Sequence, residues 1–371
     1  MIPAIDKSQS LAEALRLRRF FLDAGAELVD AHILQPAGTL LDLYGEDIRA
    51  RAYVTQDPER GEMMLRPDFT VPVVQQHMDA GAAPARYTYL GEVFRKQEEH
   101  PERPSEYLQV GFELFDDANP ARADAEVFAL FAEALADLGL RPATGDFGIL
   151  IAAIDGLSLS APRRAALMRH LWRPRRFRKL VERFAGKRTA PPRRAAVVEA
   201  YGAGGDPLAD AGPFIGLRSR DEVLGRLDRL VADAAEPPLP AAELELLDHI
   251  LDLKDMCPAA LEQLRDITVD LPALQSAVQR FEQRLDAMSA RGIAVDALPF
   301  EASFGRTTLE YYDGFVFGFA APDMPGLPHL ATGGRYDALT RVLGRGREMP
   351  AVGGMVRPET VLALRELRRN A

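Results

Sequence analysis

Apolar and polar positions follow two rhythms along this chain, and the change of rhythm divides it. Residues 8–24 keep helical spacing, with Leu11, Ala14, Leu15, Phe20 and Leu22 apolar and Ser8 placed as an N-cap. A stretch rich in turns and short strands follows, and the run from Glu62 to Asp68 leads into a second helix over 71–79. Residues 87–95 and 107–115 alternate with the two-residue period of strands, and the polar residues 96–106 read as a long hairpin loop. Residues 120–138 predict an alanine-rich amphipathic helix. The short apolar run 147–153 predicts a buried strand. Helical patterns then continue to about residue 291, broken at Gly186, at Pro191-Pro192, and over 202–207 and 237–240. Strands return at 300–304, 311–320 and 329–331, and helices at 337–343 and 359–367.

Strands, a long helical excursion and strands again predict an α+β fold: an antiparallel sheet flanked by helices, with a helical insertion. The boundaries read from the pattern are 1–150 and 295–371 for a discontinuous core, and 151–294 for a mainly helical insertion domain. A length of 371 residues fits two or three domains.

Composition narrows the function. The net charge of -10 works against a general nucleic-acid binder. The one cysteine, Cys257, excludes an intrachain disulfide and a site built on several thiolates, and it fits a reducing compartment. Residues 1–7 lack an apolar signal core, and no apolar run has the length of a membrane span. The expectation is a soluble cytoplasmic protein without membrane, metal or cofactor. One segment departs from the average: residues 162–194 are dense in Lys and Arg, with Glu182 the single acid. That run reads either as a surface for a phosphate-rich or acidic partner, or as a solvated helical face balanced by acids elsewhere.

Four segments carry chemistry together. They are Leu65-Arg66-Pro67-Asp68-Phe69-Thr70; Phe94-Arg95 followed by Gln109-Val110-Gly111-Phe112-Glu113; Leu309-Glu310-Tyr311-Tyr312-Asp313-Gly314-Phe315-Val316-Phe317; and Gly333-Gly334-Arg335-Tyr336-Asp337 followed by Pro350-Ala351-Val352-Gly353-Gly354. Singly, each has a plain structural reading. Asp68 could cap the helix after it, Glu113 could pair with a structural arginine, and the two tyrosines could pack on a strand. In this order and spacing they resemble the catalytic core of histidyl-tRNA synthetase, a class II aminoacyl-tRNA synthetase, over most of residues 8–145 and 298–371.

The resemblance implies a histidine pocket. Free histidine presents an ammonium, a carboxylate and two ring nitrogens, and an unpaired buried polar group costs roughly 1–3 kcal/mol. By the family pattern Asp68, Thr70 and Gln109 surround the ammonium, and Arg95 meets the carboxylate. Glu113 meets one ring nitrogen, and Tyr311-Tyr312 the other, through Tyr312. Gln109 and Glu113 stand four apart, on one face of a strand.

The resemblance also implies losses. Adenylation needs fixed cations around a triphosphate. The arginine of the third class II motif falls at Thr360, with Arg357 three residues early and ahead of Pro358. The arginine before the tyrosine pair falls at Thr307, with Arg306 one residue off. The hairpin loop carries Glu98, Glu99 and Glu102, with Ser105 at an arginine position. No anticodon-binding domain follows the third motif, so tRNA is not expected.

A kept pocket and lost ATP tools resemble the regulatory subunits of short-form ATP phosphoribosyltransferase, the first enzyme of histidine biosynthesis. That implies a chain with no catalytic residues and histidine as its effector. It implies a partner, the catalytic subunit, and self-association as a dimer within a hetero-octamer. The alternative is a truncated histidine-activating enzyme.

Overall fold

The computed structural model describes residues 5–38, 52–97, 104–209, 212, 216, 218–306 and 311–370. It divides into two compact units, residues 1–152 with 250–371, and residues 153–249.

The first unit is built on a sheet of nine strands. The strands that matter for the site are β5 (Ala85–Phe94), β6 (Glu106–Phe115), β10 (Phe315–Ala320), β11 (Ala331–Arg335) and β12 (Ala351–Val356). All pairs among them are antiparallel. With β1 (Glu27–Leu28), β7 (Arg141–Asp146), β8 (Lys254–Met256) and β9 (Pro299–Glu301) at the sheet's flanks, the order is β1-β5-β6-β12-β11-β10-β7-β9-β8. A three-stranded sheet, β2 (Leu34–Pro36), β4 (Gly61–Leu65) and β3 (Val54–Asp57) in that order, has β4 end at Leu65, the first residue of the Leu-Arg-Pro-Asp segment. The expected α+β architecture is the observed one.

Helices α1 (Lys7–Asp23), α3 (Pro120–Ala134) and α13 (Pro358–Arg369) pack on the sheet. The core between them is aromatic. Phe21 meets Phe112 and Phe131, and Phe131 meets Phe317 at 5.5 Å between ring centres. Large rings suit such a core because each buries a wide apolar area at two rotatable bonds.

Several expectations need correction. Asp6, not Ser8, caps α1, its carboxylate accepting the Ser8 amide at 2.8 Å. The apolar run at 147 is helix α4 (Phe147–Gly156), not a strand. Period alone does not separate a buried strand from a buried helix. Here Asp146 takes the Gly148 amide at 2.7 Å and turns the chain out of the sheet. The tyrosine pair precedes its strand rather than opening it, since β10 begins at Phe315. Residues 302–306 form turns, so strand parity does not govern Arg306. Thr307, Glu98, Glu99 and Glu102 lie outside the described residues.

Helices α10 (Cys257–Asp270) and α11 (Gln275–Ala290) belong to the first unit. Arg284 of α11 explains why. Its guanidinium reaches Asp146 at 2.6 Å and Asp124 at 3.4 Å, with all three side chains buried.

The second unit is helical. Its helices include α5 (Ala161–Arg169), α6 (Pro174–Phe184), α7 (Pro192–Gly202) and α8 (Arg220–Ala235). Phe177, Val181 and Phe184 form the buried stripe of α6. Its basic run is partly spent on structure. Asp233 collects Arg163 at 2.9 Å, Arg183 at 3.5 Å and Arg194 at 3.9 Å, and Arg163 also donates to the Pro237 carbonyl. For these arginines the balanced-face reading holds.

Candidate functional site

The site grows out of strand register. In the β5·β6 pair, Tyr87 stands opposite Glu113, Tyr89 opposite Gly111 and Gly91 opposite Gln109. On the other side of β6, Gly353 stands opposite Glu113. These residues share one face of the sheet. The two glycines are required there. A Cβ at 353 would collide with the Glu113 carboxylate, and one at 111 with the Tyr89 phenol. Their bareness lets Tyr89 lie across the sheet and Glu113 lie flat above its neighbour strand.

Helix α2 (Thr70–Ala80) brings the second wall. Phe69 holds its N-cap position and no side chain caps it, so Asp68 is not spent as a cap. Phe69 stacks on Tyr89 at 4.3 Å, and the Arg66 guanidinium sits 4.0 Å from the Phe69 ring centre. This stack fixes where α2 starts, and so where Asp68 and Thr70 lie.

Glu113 is the centre. It is 1% exposed. Thr70 Oγ1 donates to its Oε1 at 3.1 Å, Tyr89 OH to the same oxygen at 3.3 Å, and Tyr336 OH to its Oε2 at 2.6 Å. Burial pushes its carboxyl up to about 8, against the opposing pull of those three hydroxyls, and the Asp68 carboxylate adds to the rise. Tyr311 OH donates to Thr70 Oγ1 at 3.3 Å, and the Tyr311 and Tyr312 rings lie 4.7 Å apart. Burial, first of all, raises Tyr312 and Tyr336 well above the ordinary tyrosine range.

Arg95 and Asp68 form the other end. Arg95 Nη2 stands 3.4 Å from Asp68 Oδ2, and its Nε donates to the Pro67 carbonyl at 2.7 Å. Gln109, 1% exposed, has neither amide oxygen nor amide nitrogen paired. Two unpaired buried polar atoms are expensive and call for water or a ligand.

Thus hydrogen bonds bring Thr70, Glu113 and Tyr311 together, with the tilted ring of Tyr312 beside Tyr311, and join Arg95 to Asp68. Gln109 shares the strand face of Glu113, and its side chain makes no hydrogen bond to the others. Two hydroxyls on Glu113 escaped the sequence reading. Tyr336 sat in the Gly-Gly-Arg-Tyr-Asp segment, where its rank as the one aromatic was a usable signal. Tyr89 had none, because its link to Glu113 depends on the pairing of two strands.

Three residues near the expected third-motif arginine position lie on or next to α13. Arg357 caps α13 in extended conformation and gives its Nη1 to the His329 carbonyl at 2.7 Å. Thr360 is buried on the same helix. Glu359 accepts the Leu108 amide at 2.9 Å. Among the described residues no group of three or more His, Cys, Asp or Glu comes together as a metal site. No described helix is long and apolar enough to cross a membrane.

The chain resembles known proteins along nearly its whole length. Residues 6–361 match the family model described as histidyl-tRNA synthetase. A protein of Brucella anthropi named ATP phosphoribosyltransferase regulatory subunit is 32% identical over 348 residues, 88% of this chain and 90% of that one. A namesake from Brucella canis is 34% identical over 350 residues, with the same shares. Among solved structures, a Bacillus halodurans protein described as an ATP phosphoribosyltransferase regulatory subunit/histidyl-tRNA synthetase superposes with a TM-score of 0.66. That match has 20% identity and covers 98% of this chain and 82% of the other. A histidyl-tRNA synthetase from a Nostoc species gives 0.63 at 15% identity, covering 100% and 74%. These two likenesses speak to fold.

Proposed function

Because the chain belongs to the histidyl-tRNA synthetase family, among the ATP phosphoribosyltransferase regulatory subunits, we propose that it binds free histidine and transmits it as feedback inhibition to a catalytic partner. The partner is a short-form ATP phosphoribosyltransferase chain, which uses ATP and phosphoribosyl pyrophosphate. This chain supplies no catalytic residue, is required for the partner's activity, and assembles with it in the cytoplasm as dimers within a hetero-octamer.

One contrast supports the role most. Among the described residues Glu113 is buried with hydroxyl donors but no cation, and Gln109 is buried with neither amide atom paired, while Thr360 stands where the family pattern puts a triphosphate-gripping arginine. The ammonium would meet Asp68, Thr70 and the Gln109 oxygen, and the carboxylate Arg95. The ring would lie between Glu113 and Tyr312, beside Tyr311. Inhibition follows if histidine binds one state of the assembly better than another, and its strength cannot exceed that difference.

Calorimetry of the purified chain tests this directly. Histidine is expected to bind and ATP not. Robust pyrophosphate exchange with histidine and ATP would overturn the regulatory role in favour of a truncated histidine-activating enzyme. Addition of the chain to a short-form catalytic subunit is expected to raise its activity and make it sensitive to histidine.

A further inference from the structure

Glu113 is a buried carboxyl that has donors but no cation. Its hydrogen bonds come from Thr70, Tyr89 and Tyr336, and among the described residues no Lys, Arg or His pairs with it. The titratable groups coupled to it are acids, Tyr89 from β5, Tyr336 after β11, Tyr311 and Tyr312 before β10, and Asp68 ahead of α2; Tyr87, opposite it in register, meets His77 of α2 at 3.2 Å. The β12 side presents the bare Gly353. An ionised carboxylate in such a place carries a desolvation cost of several kcal/mol that hydroxyls alone do not offset. Burial accordingly lifts the empty-site carboxyl to about 8, so it holds a proton at pH 7.

Resting on the histidine role proposed above, we infer that this end of the pocket takes its ligand's ring as a cation, the imidazole receiving the proton held by Glu113 and lying as imidazolium against the Glu113 carboxylate. The exchange balances within the site. One O–H bond on Glu113 breaks, one N–H bond on the ring forms, and no proton enters or leaves at neutral pH. The ligand class is therefore narrower than a small amino acid with a flat ring. The ring must be basic enough to accept that proton. Shape is read by the tyrosines, and charge by Glu113.

The proton count makes this testable on the whole chain. Free histidine's ring titrates at roughly 6.5 and Glu113 in the empty site at about 8. Between those values, binding as a cation moves no net proton, and affinity should change by no more than about twofold. Calorimetry at pH 7 in phosphate and in Tris should then give the same heat after correction for dilution. If the ring binds neutral against an ionised Glu113, affinity instead climbs about tenfold per pH unit across that interval, with close to one proton released at pH 7. That result overturns the inference and leaves the histidine role intact.

A second arm separates a charged ring from a neutral one that accepts a hydrogen bond from protonated Glu113. The triazole analogue of histidine has the same shape and a far weaker base. It should bind wild type at least about tenfold more weakly than histidine at pH 7, and Glu113→Gln should narrow the gap. Equal affinities in wild type overturn the cation. Should the variant fail to fold, the wild-type measurements decide alone. Absence of histidine binding at every pH overturns the functional proposal and this inference with it.

Discussion

Two buried polar clusters meet at the end of β11, and they are built on opposite plans. Arg335 enters one of them. It reaches Asp124 at 2.7 Å and Asp337 at 3.0 Å, and Arg284 completes the group against Asp124 and Asp146. The next residue, Tyr336, enters the other and gives its hydroxyl to Glu113. In the first cluster each buried carboxylate has a guanidinium. In the second, among the described residues, the carboxyl has only hydroxyls and the Gln109 side chain has no hydrogen bond. A closed network holds helices to a sheet, whereas an open one leaves places for a ligand's charges. The contrast separates the fastener of the fold from its candidate site, although both use the same residue types at similar depth.

The contrast breaks first, and most severely, at Arg284. Arg284→Met should cost about 3–5 kcal/mol, because it leaves Asp124 and Asp146 buried against fewer cations. Urea unfolding of the variant measures this. A loss below about 1 kcal/mol would mean that the cluster is not a fastener.

Glu113→Gln should act in the opposite sense on stability. The folded state holds the Glu113 proton more tightly than the unfolded chain, whose carboxyl has the ordinary value of 4.5. Wild-type stability should therefore fall as pH rises from 4.5 to about 8, and level off outside that window. The contribution is at most about 1.4 kcal/mol per pH unit. The glutamine variant should lose that slope while keeping the contribution of Asp313, another buried carboxyl, raised to about 7 by burial and by Asp337. Identical slopes of stability against pH in wild type and the glutamine variant between 4.5 and about 8 would show that the Glu113 cluster is not short of a cation.

Smaller effects belong to ligand binding. Asp68→Ala should weaken histidine by well over about tenfold, since it strands the ammonium and frees Arg95 from its partner. Unchanged calorimetric affinity would remove Asp68 from the pocket. Thr360→Ala should leave histidine affinity nearly intact, because this residue lies on α13, where the proposed reading expects a nucleotide-binding arginine in a synthetase. A large loss there would mean that the third motif has been aligned wrongly.

The local rules of the chain were readable without coordinates. Helix α12 (Asp337–Leu343) and strand β6 fell where period and turn residues put them, because each is decided by neighbours in sequence. The shared face of Gln109 and Glu113 follows from strand parity alone. The family, too, was legible, since its motifs are short runs whose order survives without a structure. Boundaries failed where a distant contact ruled. Residues 147–153 became helix rather than strand when Asp146 took the Gly148 amide and the Gly314 carbonyl took that of Phe147.

What the sequence determined by itself was the set of polar groups that could surround a small zwitterion. Tertiary structure alone decided which of those groups are satisfied. Tyr89 and Tyr336 reach Glu113 only because strands from three parts of the chain align in one register, and Arg284 arrives at Asp146 across 138 residues. Whether a carboxyl meets a guanidinium or a hydroxyl is a matter of a few ångströms in space, and spacing along the backbone carries no record of that distance.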